Sequence, residues 1–377
     1  MNQVRVDVLE GTAPIAEEWD QLADRTDADP FVRPLWFNAW FDAFGDGRGL
    51  VVTARRDGRL VAVLPVQERG ATLSSPTNWH TARFGLLAER PEDARRLVEW
   101  TLRTGKRQVR IDFIDAASPD VRLWQDAAEQ RRDHVVIRTL LRSPFLALDG
   151  DWERYRSDMS KRRRSELRRR RRRLEECGRV AVEVADGRSG LHALLREGFA
   201  LEAAGWKGQA GTAIVSQPAS RRFYTDLARS AAARGLLRLA FLRVAGRAIA
   251  FDYSLEHRGV HYLLKQGNDP QWRRYGPGML LREEMIRRSF AEGHRTYEFL
   301  GSDEPWKLEW TSSCHERVHV EFFDHSVAGN LSWLASAYGR PLARRLRDNA
   351  GRLRRPGHDS SRRVGRGRAR TPAEISS

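Results

Sequence analysis

The amino-acid sequence predicts an α/β (α+β) fold made of two similar lobes, each a mixed, mostly antiparallel sheet flanked by helices. Strand-like runs alternate with amphipathic helical runs along most of the 377 residues. Three patterns also recur at nearly constant spacing, which indicates two copies of one unit. They are residues 55–62 (RRDGRLVA) with 243–250 (RVAGRAIA) and Gly105 with Gly293, both at an offset of 188, and the strands 111–113 and 297–299 at an offset of 186.

The first copy is predicted to span residues 1–150. Asp57-Gly58 between two apolar runs is a strong hairpin signal. Aromatic residues crowd the segment 31–44, which predicts a dense apolar helix that packs against another element. The predicted elements are, in order, a strand at 4–11, helices at 16–23 and 31–44, strands at 50–54 and 59–66, a helix at 91–104, a strand at 109–114, a helix at 121–132 and a strand at 134–140.

The second copy is predicted to span residues 179–326. A basic helical connector, residues 151–178, precedes it. Residues 327–377 are predicted to contain a short helix around 331–337. The rest of this segment is an Arg-, Gly- and Ser-rich tail, which buries too little apolar surface to fold alone. We therefore expect the C-terminal tail to be largely disordered.

The net charge of +16 is concentrated in two places. Residues 161–173 carry ten basic side chains and one acid, and residues 340–377 carry twelve arginines and three acids. Each segment therefore has a charge of +9, and the remaining residues are close to neutral at −2. The predicted folded body is therefore not itself a basic protein.

The expected compartment is the cytoplasm. No run of 18 apolar residues is present, and residues 1–11 lack the apolar core of a signal peptide. Cys177 and Cys314 are the two cysteines, and their spacing fits neither a disulfide framework nor a metal site. Peripheral association with the inner membrane face stays open because of the basic segments.

A strand, a glycine-rich loop and a helix follow each other in the second copy. The run 260–264 (VHYLL) predicts a buried strand. Pro277 suits the first turn of a helix, and Gly293 suits the position just past its end. The N–H groups of the loop and of the helix N-terminus point the same way, and Arg273 and Arg274 add positive charge. This segment therefore predicts an anion site suited to a phosphate.

The loop 273–278 reads R-x-x-G-x-G, which matches the pyrophosphate loop of the GNAT acyltransferase superfamily. Further matches extend from about residue 19 to residue 323. Together they resemble the CelD-like branch of that superfamily, which is related to the tandem-GNAT Fem aminoacyltransferases. These matches are Pro30-Phe31 with Trp36, the basic helix 161–174, the EAAGWKG run 202–208, the GTAI run 211–214 and the WKLEW run 306–310.

The resemblance implies two tandem GNAT-like lobes, of which the first is degenerate and the second binds an acyl-CoA. It implies acyl transfer from acetyl-CoA or another acyl-CoA to an amine or hydroxyl on a small-molecule or glycan acceptor, often in polysaccharide or envelope pathways. The residues it assigns to the cofactor are Leu264, Lys265, Arg273, Arg274, Tyr275, Gly276, Pro277, Gly278 and Met279. No metal is expected, because the histidines are scattered.

Acyl transfer from a thioester needs a held donor, a deprotonated acceptor and a stabilised oxyanion. A backbone N–H at a bulge in the strand 262–265 is the expected oxyanion donor, with pantetheine paired along that strand. Tyr262 and Tyr297 are candidate proton donors to the leaving thiolate. The alternative for both is a simple core role, which is the commoner one for strand tyrosines.

Three carboxylates, Glu202, Asp252 and Asp303, are candidates for the general base. Asp252 lies in an otherwise apolar strand, where burial would raise its pKa, or else it points outward by alternation. Glu202 is either a site residue or a helix-surface acid. Lys307 is a candidate for orienting an anionic acceptor or contacting the donor phosphates, and the alternative is a solvated lysine.

The basic helix 161–173 leaves the function open in one respect. It is charged on almost every side, which fits a nucleic-acid surface, an anionic membrane surface, or a cleft that meets an anionic ligand. No aromatic residues that could stack on bases are interleaved, which disfavours sequence-specific nucleic-acid recognition. Two functional alternatives remain: a Fem-type transferase that takes its acyl group from a charged tRNA, and a non-catalytic protein that binds polyanions through this helix and the tail.

Overall fold

The computed structural model describes residues 4–205, 208 and 211–339. The predicted C-terminal tail therefore lies outside the described residues, as do Trp206 and Lys207 of the EAAGWKG run. The described chain as far as Asn330 forms one compact unit, and Leu331 onward belongs to another. The predicted boundaries at residues 150 and 178 stay a prediction. None of the described helices is both long and apolar enough to cross a bilayer.

The N-terminal half, residues 4–147, alternates strands with helices as predicted. Its strands are β1 (Val4–Glu10), β2 (Arg48–Arg56), β3 (Arg59–Arg69), β4 (Thr72–Ser74), β5 (Leu87–Ala88), β6 (Gln108–Asp115) and β7 (His134–Ala147). Its helices are α1 (Ala16–Arg25), α2 (Pro34–Phe44), α3 (Pro91–Leu102) and α4 (Pro119–Arg131), with 3-10 turns at Ala13–Ile15 and Pro30–Val32.

The remaining elements follow from residue 152. The strands are β8 (Val180–Ala185), β9 (Leu237–Val244), β10 (Arg247–His257), β11 (Val260–Asn268), β12 (Thr296–Glu298) and β13 (Cys314–Phe323). The helices are α5 (Trp152–Asp158), α6 (Lys161–Glu175), α7 (Leu191–Ala203), α8 (Pro218–Ala233), α9 (Pro277–Ala291), α10 (Pro305–Leu308) and α11 (Val327–Leu334), with 3-10 turns at Ile214–Ser216 and Pro270–Tyr275 and a π turn at Ala335–Gly339.

Two predicted element boundaries were wrong, and one predicted helical segment is divided in two, each for a local reason. The helix expected at 31–44 begins at Pro34, because the Asp29 side chain caps a separate 3-10 turn before it. The connector is two helices, α5 and α6, because the Ser160 side chain caps the start of the second. The strand expected at 134–140 continues to Ala147, since its second half has a sheet partner of its own.

The sheet runs in the order β1-β2-β3-β4-β6-β13-β7-β12-β11-β10-β9-β8, with β5 paired to β3. Most pairs are antiparallel, whereas β4 with β6 and β11 with β12 are parallel. The predicted fold class, a mixed and mostly antiparallel α/β structure, is confirmed. The two halves also exchange strands: β13 lies between β6 and β7, and β7 pairs with β12. This exchange was not predicted.

The repeated hairpin is confirmed in both halves. Asp57 and Gly58 connect β2 to β3 with φ angles of 52° and 82°. Ala245 and Gly246 connect β9 to β10 with φ angles of 47° and 84°. Two successive positive φ angles make the tight turn that matches strand twist, so the repeated sequence has the same backbone in both copies.

Two layers of helices enclose the β11 region. On one face, α2 packs on α8, where the rings of Trp36 and Phe223 meet edge to face at 5.1 Å, and Phe31 meets Tyr262 of β11 at 5.1 Å. On the other face, Leu167 of α6 joins the core formed by α9 and the sheet. The N-terminal half therefore covers one side of β11, and the basic helix lies on the other.

Candidate functional site

The strands β11 and β12 part in the middle of the sheet. They pair in parallel over three residues, and the last pair is Tyr262 with Glu298. β12 ends there, whereas β11 continues to Asn268 with β10 on its other side. Within the described residues this leaves one edge of β11 open after Tyr262. A cleft of about 430 Å³ lies at the opening.

The cleft has walls from both halves of the chain. Leu264 and Lys265 line it from β11, and Trp306 and Lys307 line it from α10. Trp79 of the N-terminal half forms a third side. An open strand edge beside such a cleft can pair with an extended ligand through backbone hydrogen bonds.

The bulge predicted in the strand 262–265 is present. Tyr253 of β10 pairs with Lys265 of β11, and the next residue, Ser254, pairs with Leu263. Leu264 is therefore the extra residue, and the regular ladder is interrupted there. A bulge frees or re-aims a backbone N–H next to the cleft, which is the geometry required of an oxyanion donor.

The predicted strand–loop–helix is also present. β11 leads into the 3-10 turn Pro270–Tyr275, and Gly276 with a φ of 62° precedes α9. Pro277 occupies the first turn, and the N–H groups of Met279 and Leu280 donate to the Gly276 carbonyl. The Gly278 N–H thus remains at the positive end of a helix of 15 residues, where an anion is stabilised.

The loop rests on the basic helix through Tyr275. This ring is buried, and its hydroxyl lies 3.1 Å from Cys177 Sγ just beyond the end of α6. The Arg274 guanidinium donates to the same hydroxyl at 2.7 Å, and its carbon lies 4.7 Å from the ring centre. Arg273 is exposed beside it. Among the predicted cofactor residues, those of the loop 273–279 therefore lie together with Tyr275 as their anchor to the core, whereas Leu264 and Lys265 line the cleft.

Asp252 lies on the face of β10 that packs on α9. It is 2% exposed and forms a two-pronged ion pair with Arg282, with both N–O distances 2.7 Å. Arg282 also donates to the Tyr297 hydroxyl and lies 3.4 Å from the Gln266 side-chain oxygen. Burial raises the pKa of Asp252, and the adjacent guanidinium opposes that shift. Tyr297 therefore belongs to this ion-pair cluster.

Glu202 and Asp303 lie apart from Asp252. Glu202 is buried at the end of α7, and its Oε2 accepts a hydrogen bond from the Ile214 N–H at 2.9 Å. Its backbone touches β11, since a Cβ added at Gly267 would come within 2.4 Å of it. Asp303 is partly exposed, with an oxygen 3.6 Å from Arg142. The three candidate bases are therefore not brought together.

Lys307 holds the segment that follows β12. Its buried ammonium donates to the Leu300 carbonyl at 2.7 Å and to the Ser302 carbonyl at 2.8 Å, and it lies 3.1 Å from Glu304 Oε2. Leu300 has a φ of 54°, so this turn needs such support. Of the side chains predicted to take part in catalysis, Lys307 is thus one that lies in the cleft wall.

Sequence reasoning missed a row of charged groups at the point where the strands part. Glu298 Oε1 lies 3.0 Å from His315 Nε2, and His315 Nδ1 lies 3.4 Å from Asp115 Oδ2. Arg317 donates to the same Asp115 oxygen at 2.6 Å. These side chains come from β12, β13 and β6, so the strand exchange brings them together. The sequence did contain a signal for Glu298: each of the aligned strands 111–113 and 297–299 has an acidic residue at its centre, Asp112 and Glu298.

Residues 161–308 match the family model described as "Acetyltransferase (GNAT) domain". The matched segment contains β11, its bulge, the glycine loop and α9. Residues 161–308, called the GNAT domain below, are therefore similar to a GNAT acetyltransferase domain. The superfamily resemblance is thereby confirmed, whereas membership of the CelD-like branch stays a prediction. Comparison with the curated proteins gives no match.

Solved structures similar to this chain extend beyond the GNAT domain into the N-terminal half. FemX has a TM-score of 0.59 at 12% identity and covers 84% of this chain and 97% of its own. L-PGS from Bacillus licheniformis has a TM-score of 0.54 at 12% identity, covering 85% and 96%. The C-terminal domain of an Agrobacterium fabrum protein assigned as a lysylphosphatidylglycerol synthetase has a TM-score of 0.54 at 12% identity, covering 86% and 96%. These likenesses describe the fold.

One group of possible metal ligands occurs among the described residues of the GNAT domain. Glu256, His261 and His294 bring one ligand atom each within 4.8 Å of one another. The Glu256 oxygens already contact His261 Nδ1 at 3.0 Å and Arg238 Nε at 2.7 Å. A guanidinium on the carboxylate disfavours a cation there, so we keep the expectation that the chain needs no metal.

Proposed function

We propose that the chain is an acyl-CoA-dependent N- or O-acyltransferase, with acetyl-CoA as the expected donor. The acceptor is the amine or hydroxyl of a small molecule or of a glycan or envelope precursor. One observation carries the proposal: β11 has an open edge after Tyr262 and a bulge at Leu264 in its ladder with β10, and it leads into a glycine loop at the N-terminus of α9. An extended thioester with a diphosphate at one end needs both features.

The donor lies along β11 in this proposal. The stretch from Leu263 to Asn268 rises about 17 Å, which is long enough for an extended pantetheine arm to pair with it. The diphosphate then meets the Gly278 N–H and the positive end of α9. Arg273 and Arg274 are exposed at the same loop and add positive charge.

The reaction takes place at the bulge. The acceptor lone pair attacks the thioester carbon, and the developing oxyanion is stabilised by a backbone N–H at Leu264. The acceptor gives up its N–H or O–H proton, the C–S bond breaks, and coenzyme A leaves as a thiolate that takes up a proton from solvent. Contacts of Lys307 and of the Asp252–Arg282 pair favour positioning roles, since the first holds the cleft wall and the second fixes α9 on the sheet.

Calorimetry and a thiol-release assay test the proposal. We expect acetyl-CoA to bind in the micromolar range, and free thiol to appear when a panel of small amines and amino sugars is added. The variant Leu264→Pro tests the proposed oxyanion donor. Proline has no backbone N–H, so this change should abolish thiol release. Absence of acetyl-CoA binding by the folded wild-type protein would contradict the proposal.

The exposed side of α6 supports a second candidate function, which is Fem-type acyl transfer from aminoacyl-tRNA. Arg168, Arg169 and Arg172 are exposed on this helix, close to the loop that its other face supports. Such a surface can neutralise the phosphates of an RNA. Tight, salt-dependent tRNA binding without acetyl-CoA binding would favour this donor. Retained RNA binding with no acyl transfer at all would indicate a non-catalytic polyanion-binding protein.

A further inference from the structure

A second cavity of about 450 Å³ lies on the face of β11 and β12 that the N-terminal half covers. Its walls come from both halves of the chain. Asp29 and Arg83 belong to the N-terminal half, and Tyr262 and Glu298 are the last paired residues of β11 and β12. Tyr262 precedes the bulge at Leu264 by two residues, or about 7 Å along the strand. The cavity therefore adjoins the place proposed for the thioester.

Glu298 is the unusual side chain in this cavity. It is 6% exposed, and its Oε1 is held by His315 Nε2 at 3.0 Å. Its Oε2 is buried, and no described residue donates a hydrogen bond to it. A buried carboxylate oxygen without a donor is costly, so this atom is suited to receive a hydrogen bond from a ligand.

His315 connects Glu298 to solvent. Its ring stacks on Phe145, the β7 residue paired with Glu298, at a centroid distance of 4.1 Å. Its Nδ1 lies 3.4 Å from Asp115 Oδ2, and its side chain is 27% exposed. An imidazole fixed between two carboxylates at the surface can pass a proton from the buried one to water.

The titratable and charged side chains around Glu298 come from several neighbouring strands and one loop. Tyr262 lies opposite on β11, Arg317 and His315 come from β13, Asp115 comes from β6, and the loop before β5 contributes Arg83, which is paired with Asp29 at 3.0 Å. Carboxylates outnumber guanidinium groups among the residues that line the cavity. The carboxylates are Asp27, Asp29, Asp115, Asp120 and Glu298, and the guanidinium groups are Arg83 and Arg295. Asp27, Asp29 and Asp115 are paired with Arg258, Arg83 and Arg317, so Asp120 and Glu298 remain against Arg295. This remaining balance favours an acceptor that arrives with a positive charge, such as an amine.

We propose that this cavity holds the acceptor and that Glu298 is the general base, with His315 as its positioning and proton-relay partner. The inference rests on the proposed acyl transfer. The acceptor nitrogen forms the new C–N bond, the C–S bond breaks, and the N–H proton passes to Glu298 Oε2. This proton then passes from Glu298 through His315 to water. The coenzyme A thiolate takes up another proton from solvent.

The test compares Glu298→Gln with Glu316→Gln, which changes an exposed acid on β13 next to His315. Acetyl-CoA affinity is measured by calorimetry, and thiol release is measured with a panel of primary amines across pH. We expect Glu298→Gln to keep the acetyl-CoA affinity, to lower the turnover at least about 100-fold, and to lose the rise of rate with pH. Glu298→Asp should recover part of the rate, and Glu316→Gln should behave as wild type.

His315→Gln tests the relay separately. We expect it to shift the pH profile and lower the turnover while the KM for the amine changes little, because the residue does not touch the acceptor. Unchanged turnover and pH profile in Glu298→Gln would overturn this inference alone. A wild-type protein that binds acetyl-CoA but releases no thiol to any amine would also overturn it. Failure of wild type to bind acetyl-CoA would instead overturn the proposed function, and this inference with it.

Discussion

The guanidinium of Arg170 lies directly against Gly276. A Cβ added to this glycine would come within 2.3 Å of Arg170 Nη1, and the φ of 62° disfavours any side chain there. Arg170 is itself held by Glu166, with N–O distances of 2.9 and 2.6 Å. The basic helix α6 therefore lies against the glycine loop. Part of the positive charge of α6 is thus close to the proposed diphosphate site.

We expect Gly276→Ala to weaken acetyl-CoA binding about tenfold, which corresponds to ~1.4 kcal/mol. The new methyl group must displace Arg170, so the loop geometry changes along with the backbone strain. Gly293→Ala is the matched control, because Gly293 ends the same helix with a φ of 70° and has nothing within 4 Å of an added Cβ. Both variants should lose about 1 kcal/mol of stability. Equal acetyl-CoA affinity in the two variants would contradict the role given to this contact.

Lys307→Met should destabilise the cleft wall. The change removes the donor to the Leu300 and Ser302 carbonyls and leaves them without their ammonium partner, so we expect a loss of about 2 kcal/mol. Denaturant unfolding measures this loss, and acetyl-CoA turnover should fall with it. Glu304→Gln keeps both carbonyl bonds and removes only a half-exposed ion pair, so it should cost far less. A Lys307 variant as stable as wild type would show that the turn supports itself.

His319 makes stability depend on pH. Burial lowers the pKa of His319, but its contacts with Asp112 and Glu321 outweigh burial and raise the pKa above its usual value. A raised pKa in the folded state means that the protonated form is stabilising. This contribution is fully present below about pH 6.5 and is lost as pH rises through the raised folded-state pKa.

The measurement for His319 is urea unfolding at about pH 6 and about pH 9. When the pH is raised from the lower to the higher value, the free energy of unfolding should decrease more for wild type than for His319→Gln. His192→Gln, which changes an exposed histidine of α7, should keep the wild-type pH dependence. Identical pH dependence in wild type and His319→Gln would refute the prediction.

Features with a short-range backbone signal could be predicted from the sequence. Asp57-Gly58 needs two positive φ angles, and few residues other than glycine, asparagine and aspartate accept them, so the hairpin was readable. Pro277 and Gly293 likewise marked the two ends of α9. The repeat at an offset of 188 predicted the same hairpin turn in both copies, and both turns are present.

The exchange of β7 and β13 could not be read in this way. Strand pairing between residues 170 to 189 positions apart depends on which sheet edges are free in the folded chain, and periodicity carries no such information. Glu298 and His315 were missed for the same reason, since their contact exists only because β13 enters the sheet next to β7. Asp252 looked like an isolated acid because its partner, Arg282, is 30 residues away on α9.

The glycine loop and the N-terminus of α9 are proposed to bind a diphosphate, and the other proposals depend on this site. The most direct test compares the acetyl-CoA affinity of Gly278→Asp with that of Gly278→Asn. A Cβ at Gly278 meets nothing closer than 3.9 Å, so the backbone has room for a side chain, and aspartate and asparagine have nearly the same shape and differ chiefly in charge. The carboxylate should stabilise the helix start by ~0.3–1 kcal/mol while repelling the diphosphate. Measured by calorimetry, acetyl-CoA affinity should be at least about tenfold weaker for Asp than for Asn. Equal affinities in two folded variants would contradict the claim.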